Sequence, residues 1–195
     1  MEGEKTSRQK QAEETKRHIF NVALKMLDEQ GYEAIKVRDI AEAAGVSVGT
    51  FYNYYETKLD VFYETYILAD EYFARTVASS LTQPTARERI LRLFDEYARY
   101  SSEITDMSLT KLLYNSDNRW FNRESDEGIV PLLRQQVQFG LDRGELTGGS
   151  ATDIAQFLMV ATRGLVYNWC TRNGEYPLRP AMERFVIRLL AAFLK

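Results

Sequence analysis

The chain has 195 residues, 45% hydrophobic, 27% charged and 12% aromatic, a profile that excludes a disordered polymer and suits one or two compact domains. Its 25 Lys and Arg against 28 Asp and Glu leave a net charge of -3, so overall charge offers no basis for nucleic-acid binding and any such role must come from local residues. A single cysteine, Cys170, and a single histidine, His18, exclude an intramolecular disulfide and a two-histidine metal motif, and the expected setting is cytoplasmic.

Met1 to Lys10 is polar and charged, without the apolar core of a secretory signal. The most apolar stretches, Ile154 to Val166 and Phe185 to Leu194, carry Arg163 and Arg188 and fall short of the roughly 18 to 20 residues of a membrane span. Alternating β-branched runs are missing and 3.6-residue periodicity recurs, so the predicted fold is all-α.

The first predicted helix runs from Thr15 to Gln30, with Ile19, Ala23, Met26 and Leu27 on one face and Gly31 as its stop; the residues before Thr15 are expected as a flexible arm. A second runs from Val37 to Ala44, with Val37, Ile40, Ala41 and Ala44 inward, and Gly45 ends it where a positive φ is cheapest. Ser47 then caps a third, Val48 to Tyr55, which buries Phe51 and Tyr55 and leaves Val48, Gly49, Thr50, Tyr52, Asn53 and Tyr54 outward or sideways. A long fourth helix is expected over Thr57 to Ser80. Beyond Pro84 the breaks place helices at Ala86 to Ser102, Thr105 to Asn115, Gly128 to Arg143, Ala151 to Arg172 and Pro180 to Leu194.

A helix, a glycine-centred turn and a short second helix with polar and aromatic outward residues is the layout of a helix-turn-helix DNA reader. Gly49 permits close approach to the groove, Asn53 suits a bidentate contact with adenine, and Val48 or the Thr50 methyl suits a thymine methyl. Tyr52, Tyr54 and Lys58 flank the groove as phosphate contacts, and Lys16 and Arg17 are further candidates. Lys5, Arg8 and Lys10 interleave with Glu2, Glu4, Glu13 and Glu14 and are expected as a solvated arm.

The ordered string Gly31-Tyr32, Val37-Arg38-Asp39-Ile40-Ala41, Ala44-Gly45-Val46-Ser47, Gly49-Thr50-Phe51-Tyr52-Asn53-Tyr54-Tyr55 and Lys58 resembles the TetR family of bacterial transcriptional regulators. The resemblance covers Thr15 to Phe62. It implies a homodimer on a near-palindromic double-stranded operator and a variable C-terminal domain that senses a small molecule. It also implies that Arg38 reaches DNA from the start of the second helix, that Thr50, Tyr52, Tyr54 and Lys58 make recognition-helix contacts, and that Gly49 keeps the surface open. Two positions depart from the family pattern. Ile35 and Lys36 stand where threonines are common, which removes a hydroxyl cap, and Tyr55 replaces a phenylalanine, so its hydroxyl needs a partner.

The expected domains are therefore 1–58, DNA-binding, and 59–195, effector-binding and dimerisation. An apolar or aromatic effector cavity is expected among Tyr66, Phe94, Tyr97, Met107, Leu112, Trp120, Phe121, Val137 and Trp169, with Asn115, Gln138 and Asn168 as polar handles. The last two helices carry apolar residues on more than one side: Ile154, Leu158, Ala161, Leu165 and Trp169 in one stripe, Phe157, Val160 and Gly164 in another, and Phe185, Leu189 and Phe193 on the final helix. Part of this surface, with Ile154, Phe157, Leu158, Ala161, Leu165, Phe185, Leu189 and Phe193 as candidates, is expected to meet a second subunit. No metal, cofactor or catalytic residue is expected, since nucleophile-base pairing and phosphate-cradling loops are missing. Two alternatives remain open: a small all-α enzyme using the aromatic cavity, and a protein-interaction module that retains the helix-turn-helix fold.

Overall fold

The computed structural model describes residues 6–114 and 126–195, which form helices joined by turns with no strand among them. The chain divides into two compact units, Met1–Thr65 and Tyr66–Lys195.

In the first unit, α1 spans Ser7–Gln30, α2 Val37–Ala43 and α3 Val48–Tyr54, and α4, Lys58–Glu71, begins there. Helix α1 starts roughly two turns earlier than expected, so Ser7 to Glu14, expected within a flexible arm, are helical. The cause is local: Thr6 Oγ1 accepts from the Gln9 amide at 3.3 Å while Gln9 Oε1 accepts from the Thr6 amide at 2.8 Å, a reciprocal cap written in the sequence as T-x-x-Q. Helix α2 has no side-chain cap at Lys36, as the missing threonines imply. Gly45 turns the chain at φ 66°, and Val46 donates back to the Ala41 carbonyl at 2.9 Å. Ser47 Oγ accepts from the Thr50 amide at 2.9 Å, the expected cap of α3. Ile19, Phe20, Ala23, Leu27, Ile35, Ile40, Phe51 and Phe62 are buried and form the small core these helices share.

In the second unit the helical path after Glu71 continues as a π-helical turn, Tyr72–Val77, before a last turn at Ala78–Ser80. Helix α5, Ala86–Arg99, likewise gives way to a π turn at Tyr100–Ile104. The first was expected as uninterrupted α-helix, and the second as α-helix as far as Ser102. The two turns meet through their aromatic residues, with the Tyr72 and Tyr100 rings 5.2 Å apart and Phe73 and Tyr100 6.0 Å apart. The remaining helices among the described residues are α6, Met107–Leu113, α7, Ile129–Asp142, α8, Ala151–Thr171, and α9, Leu178–Leu190. Pro180 falls in the first turn of α9, where its missing N–H removes no helical bond. The core runs through Phe73, Ile90, Phe94, Leu133, Val137, Leu158, Val166, Met182 and Val186. Gly140 lets α7 approach closely: a Cβ there would lie 2.6 Å from the Ala86 Cβ and 2.7 Å from Leu146 Cδ1.

Candidate nucleic-acid interface

Helix α3 presents the surface its sequence promises. Phe51 and Tyr55 are buried, while Val48 and Tyr52 are 40% and 52% exposed and Gly49 and Asn53 are also exposed. Tyr54 is half-buried, and the Thr50 hydroxyl shares a 2.8 Å hydrogen bond with Ser47 Oγ at the cap. The nearest atom to a Cβ built on Gly49 is Ser47 Oγ at 3.7 Å, an ordinary contact, so no packing within the chain demands glycine there. Each short turn of α3 is thus held from behind by aromatic packing and from its start by a hydroxyl cap, which fixes the outward residues on a rigid base.

The cations divide into two groups. The side chain of Arg38 is 76% exposed, with only a 3.6 Å approach to Asp39, and Arg17 is also exposed. Lys16, in contrast, pairs with Glu64 at 2.6 Å and lies 5.7 Å from the Tyr55 ring centroid. The hydroxyl of Tyr55 donates to the Lys16 carbonyl at 3.1 Å, which supplies the partner that tyrosine in place of phenylalanine requires; burial, with the nearby Glu64 charge, holds that hydroxyl far above its ordinary pKa. Lys58 Nζ donates to the carbonyls of Tyr32 at 2.8 Å and Ile35 at 3.0 Å and sits 3.9 Å from the Tyr32 ring centroid. Lys36, exposed at the start of α2, is a further cation on this unit besides being the position of the lost cap.

In the second unit, Phe94, Tyr97, Val137 and Trp169 are buried and Tyr66, Met107 and Leu112 half-buried; Asn115, Trp120 and Phe121 lie outside the described residues. The Tyr97 and Tyr114 hydroxyls are hydrogen-bonded to one another, and Arg163 is hydrogen-bonded to Tyr97. Burial raises the pKa of both tyrosines, so the pair is neutral. Two of the expected polar handles are corrected. Gln138 is exposed and donates to Asp142 at 2.7 Å, and Asn168 is exposed and accepts from Tyr176 at 3.1 Å. The inward amide on α7 is Gln136, buried on the face of Leu132 one turn earlier, and its Oε1 has no hydrogen-bond partner among the described residues. Cys170 is a buried thiol pushed up to about 11 by burial, the behaviour of a small apolar residue.

The expected subunit contact is also partly corrected. Ile154 and Leu158 are fully buried in the unit's own core, because their face of α8 packs inward. The outward stripe is Phe157, Val160 and Tyr167, 47%, 63% and 55% exposed, with Gly164 between them facing open space. These positions recur at three- and four-residue spacing along one helix face. Ala161, Leu165, Phe185, Leu189 and Phe193 are half-buried, and Phe193 stacks edge-on against Phe157 at 5.5 Å.

Among the described residues, no helix is long and apolar enough to cross a membrane, and no group of three or more His, Cys, Asp or Glu is placed to hold a metal ion. Residues 19–65 match the family model for bacterial regulatory proteins of the tetR family. Along most of its length the chain is 25% identical to the HTH-type transcriptional regulator AcrR of Shigella flexneri, covering 94% of this chain and 91% of that protein. It is 23% identical to the fatty acid metabolism regulator protein of Bacillus subtilis (strain 168), covering 89% and 92%. Similar folds include FadR from Bacillus subtilis in complex with stearoyl-CoA, at TM-score 0.69 and 20% identity over 90% of this chain and 97% of that one. Thermus thermophilus FadR in complex with lauroyl-CoA superposes at TM-score 0.71 and 23% identity, over 90% and 93%.

Proposed function

We infer that this chain is a TetR-family homodimeric repressor that leaves a near-palindromic operator when a small apolar or aromatic effector binds, a reading supported by the family match over residues 19–65 and by the likeness to AcrR. The observation that carries this reading is the exposed face of α3, where Val48, Gly49, Tyr52 and Asn53 stand on a buried aromatic base. A solvated helix has no use for two large exposed apolar or aromatic residues beside a glycine; a helix that enters a major groove does. Asn53 and Val48 address base edges, Tyr52 and Tyr54 the flanks, and Arg17 and Arg38 the phosphates. Residues 1–58 form the DNA-binding module and 59–195 the effector and dimerisation module, and such a protein works in the cytoplasm, where its operator is.

Dimerisation uses the outward stripe of α8, since two α3 helices must enter successive major grooves about 34 Å apart. The effector enters the aromatic interior of the second unit, where the Tyr97–Tyr114 pair and Gln136 supply its polar groups. Fatty acyl-CoA thioesters, whose acyl chain is the part that suits an apolar interior, are the first compounds to test, because two proteins of similar fold hold them. The relatives are transcriptional regulators, and no catalytic step is assigned to this chain. Fluorescence anisotropy with a labelled duplex from upstream of the chain's own coding sequence is the test. Saturable binding that survives excess unrelated DNA and is reversed by lauroyl- or stearoyl-CoA supports the whole reading. Binding no tighter than to unrelated duplexes, for this and neighbouring upstream regions, refutes it.

A further inference from the structure

Lys58 has the position of a phosphate contact by its resemblance to the family, yet its ammonium is already committed inside the first unit. Two of its three N–H donors are taken by the Tyr32 and Ile35 carbonyls at 2.8 and 3.0 Å, and the Tyr32 ring lies beneath it at 3.9 Å. That ring is packed edge-on against buried Phe62 at 5.8 Å, so the cation sits in a cradle with a fixed floor. The two carbonyls belong to the turn that leads into α2. At the same place α2 lacks a side-chain cap, because Lys36 stands where a hydroxyl would serve. The entry to α2 is therefore held from the side of α4, by Lys58, instead of from its own N-terminus.

We propose that Lys58 is a positioning residue: it fixes the turn Tyr32–Ile35, and through it the start of α2 and Arg38, and does not itself neutralise an operator phosphate. The proposal rests on operator binding by this chain. It differs from a phosphate role in what it does to salt dependence, since each cation lost from the DNA interface flattens the log-log salt slope by about 0.9, or about 1.8 for a symmetric dimer.

The experiment is anisotropy with the upstream duplex over a range of salt concentrations, together with thermal unfolding in the absence of DNA. Lys58→Met leaves both carbonyls without their donor; it is expected to lower the unfolding midpoint and to weaken operator binding roughly tenfold at every salt concentration, with the slope unchanged. Lys58→Gln keeps two N–H donors without charge and is expected to stay within about threefold of the unsubstituted chain, again with the same slope. Arg38→Ala is expected to cost less affinity in the Lys58→Met background than alone, because Arg38 is already misplaced there. A slope flatter by about 1.8 in either variant, or additive losses for the Lys58 and Arg38 changes, overturns the proposal. If Lys58→Met does not fold, the slope of Lys58→Gln decides alone. Failure of the unsubstituted chain to bind any operator refutes the functional reading instead, and the two failures are distinct.

Discussion

Val160 offers the most direct test of how two subunits meet. It is 63% exposed in the single chain, at the middle of the stripe formed by Phe157, Gly164 and Tyr167. Val160→Glu therefore changes the stability of one subunit by no more than about 0.5 kcal/mol, the usual range for a surface position. At a subunit interface the same carboxylate is desolvated without a partner, a penalty of about 3 kcal/mol. An isologous contact contains the residue twice, so the dimer loses about 6 kcal/mol and its dissociation constant rises by about 10⁴. Sedimentation equilibrium over a concentration series reads this directly, and circular dichroism shows that the monomer is folded. Ile154→Glu provides the contrast, since Ile154 is fully buried in its own subunit and the substitution should unfold the protein. A folded Val160→Glu protein whose dimer constant stays within tenfold of the original would show that α8 does not pair subunits through this face.

With Arg17 and Arg38 as the phosphate contacts of each subunit, the log-log salt slope of operator binding should be about -3.6, and Arg38→Ala should flatten it by about 1.8. Glu96 is buried, accepts from Tyr72 and Arg99, and pairs with Arg92 at 2.5 Å. Burial alone would raise its pKa, but the hydrogen bonds from Tyr72 and Arg99 and the Arg92 and Arg99 charges prevail and hold it below the ordinary 4.5. A depressed folded-state pKa contributes stability that is present above the unfolded value and lost as pH falls through the folded one, so acid unfolding of the second unit should steepen below about 4.5. Glu96→Gln should remove that component and cost about 3 kcal/mol at neutral pH, measured by urea unfolding across pH. Gly140→Ala should destabilise by about 2 kcal/mol, because the new Cβ meets Ala86 and Leu146, whereas Gly164→Ala, facing open space within a helix, should stabilise the folded monomer by up to about 1 kcal/mol; equal denaturant midpoints for the two would contradict the packing described.

The helical order and the turn chemistry were legible because each rests on neighbours in sequence: Ser47 caps α3, Gly45 turns the chain, and Phe51 and Tyr55 face inward as their spacing demands. The early start of α1 was equally written in Thr6 and Gln9, but the mixed charges of that segment read as an arm when weighed by composition. What was not legible depends on partners distant in sequence. Lys16 and Lys58 are cations like Arg17 and Arg38 until the fold brings up Glu64, Tyr32 and Ile35. Gln136 and Gln138 are two residues apart and so about 200° apart around α7, and only the helix register against its neighbours decides which one is buried. For α8, sequence showed two apolar stripes; packing determined that Ile154 and Leu158 belong to the core and Phe157 and Val160 to the surface.

The π turns at Tyr72–Val77 and Tyr100–Ile104 bear on how this chain tolerates changes of length. In an α-helix, removing one residue rotates everything beyond it by about 100° and carries core positions into solvent. A π turn already holds one residue more than the α spacing needs. Loss of exposed Arg75 or Thr76 would therefore restore a regular helix while buried Phe73 and Val77 kept their facing. A one-residue deletion is therefore tolerated at these two turns, where the backbone gives up its surplus residue, and not within the regular helices beside them.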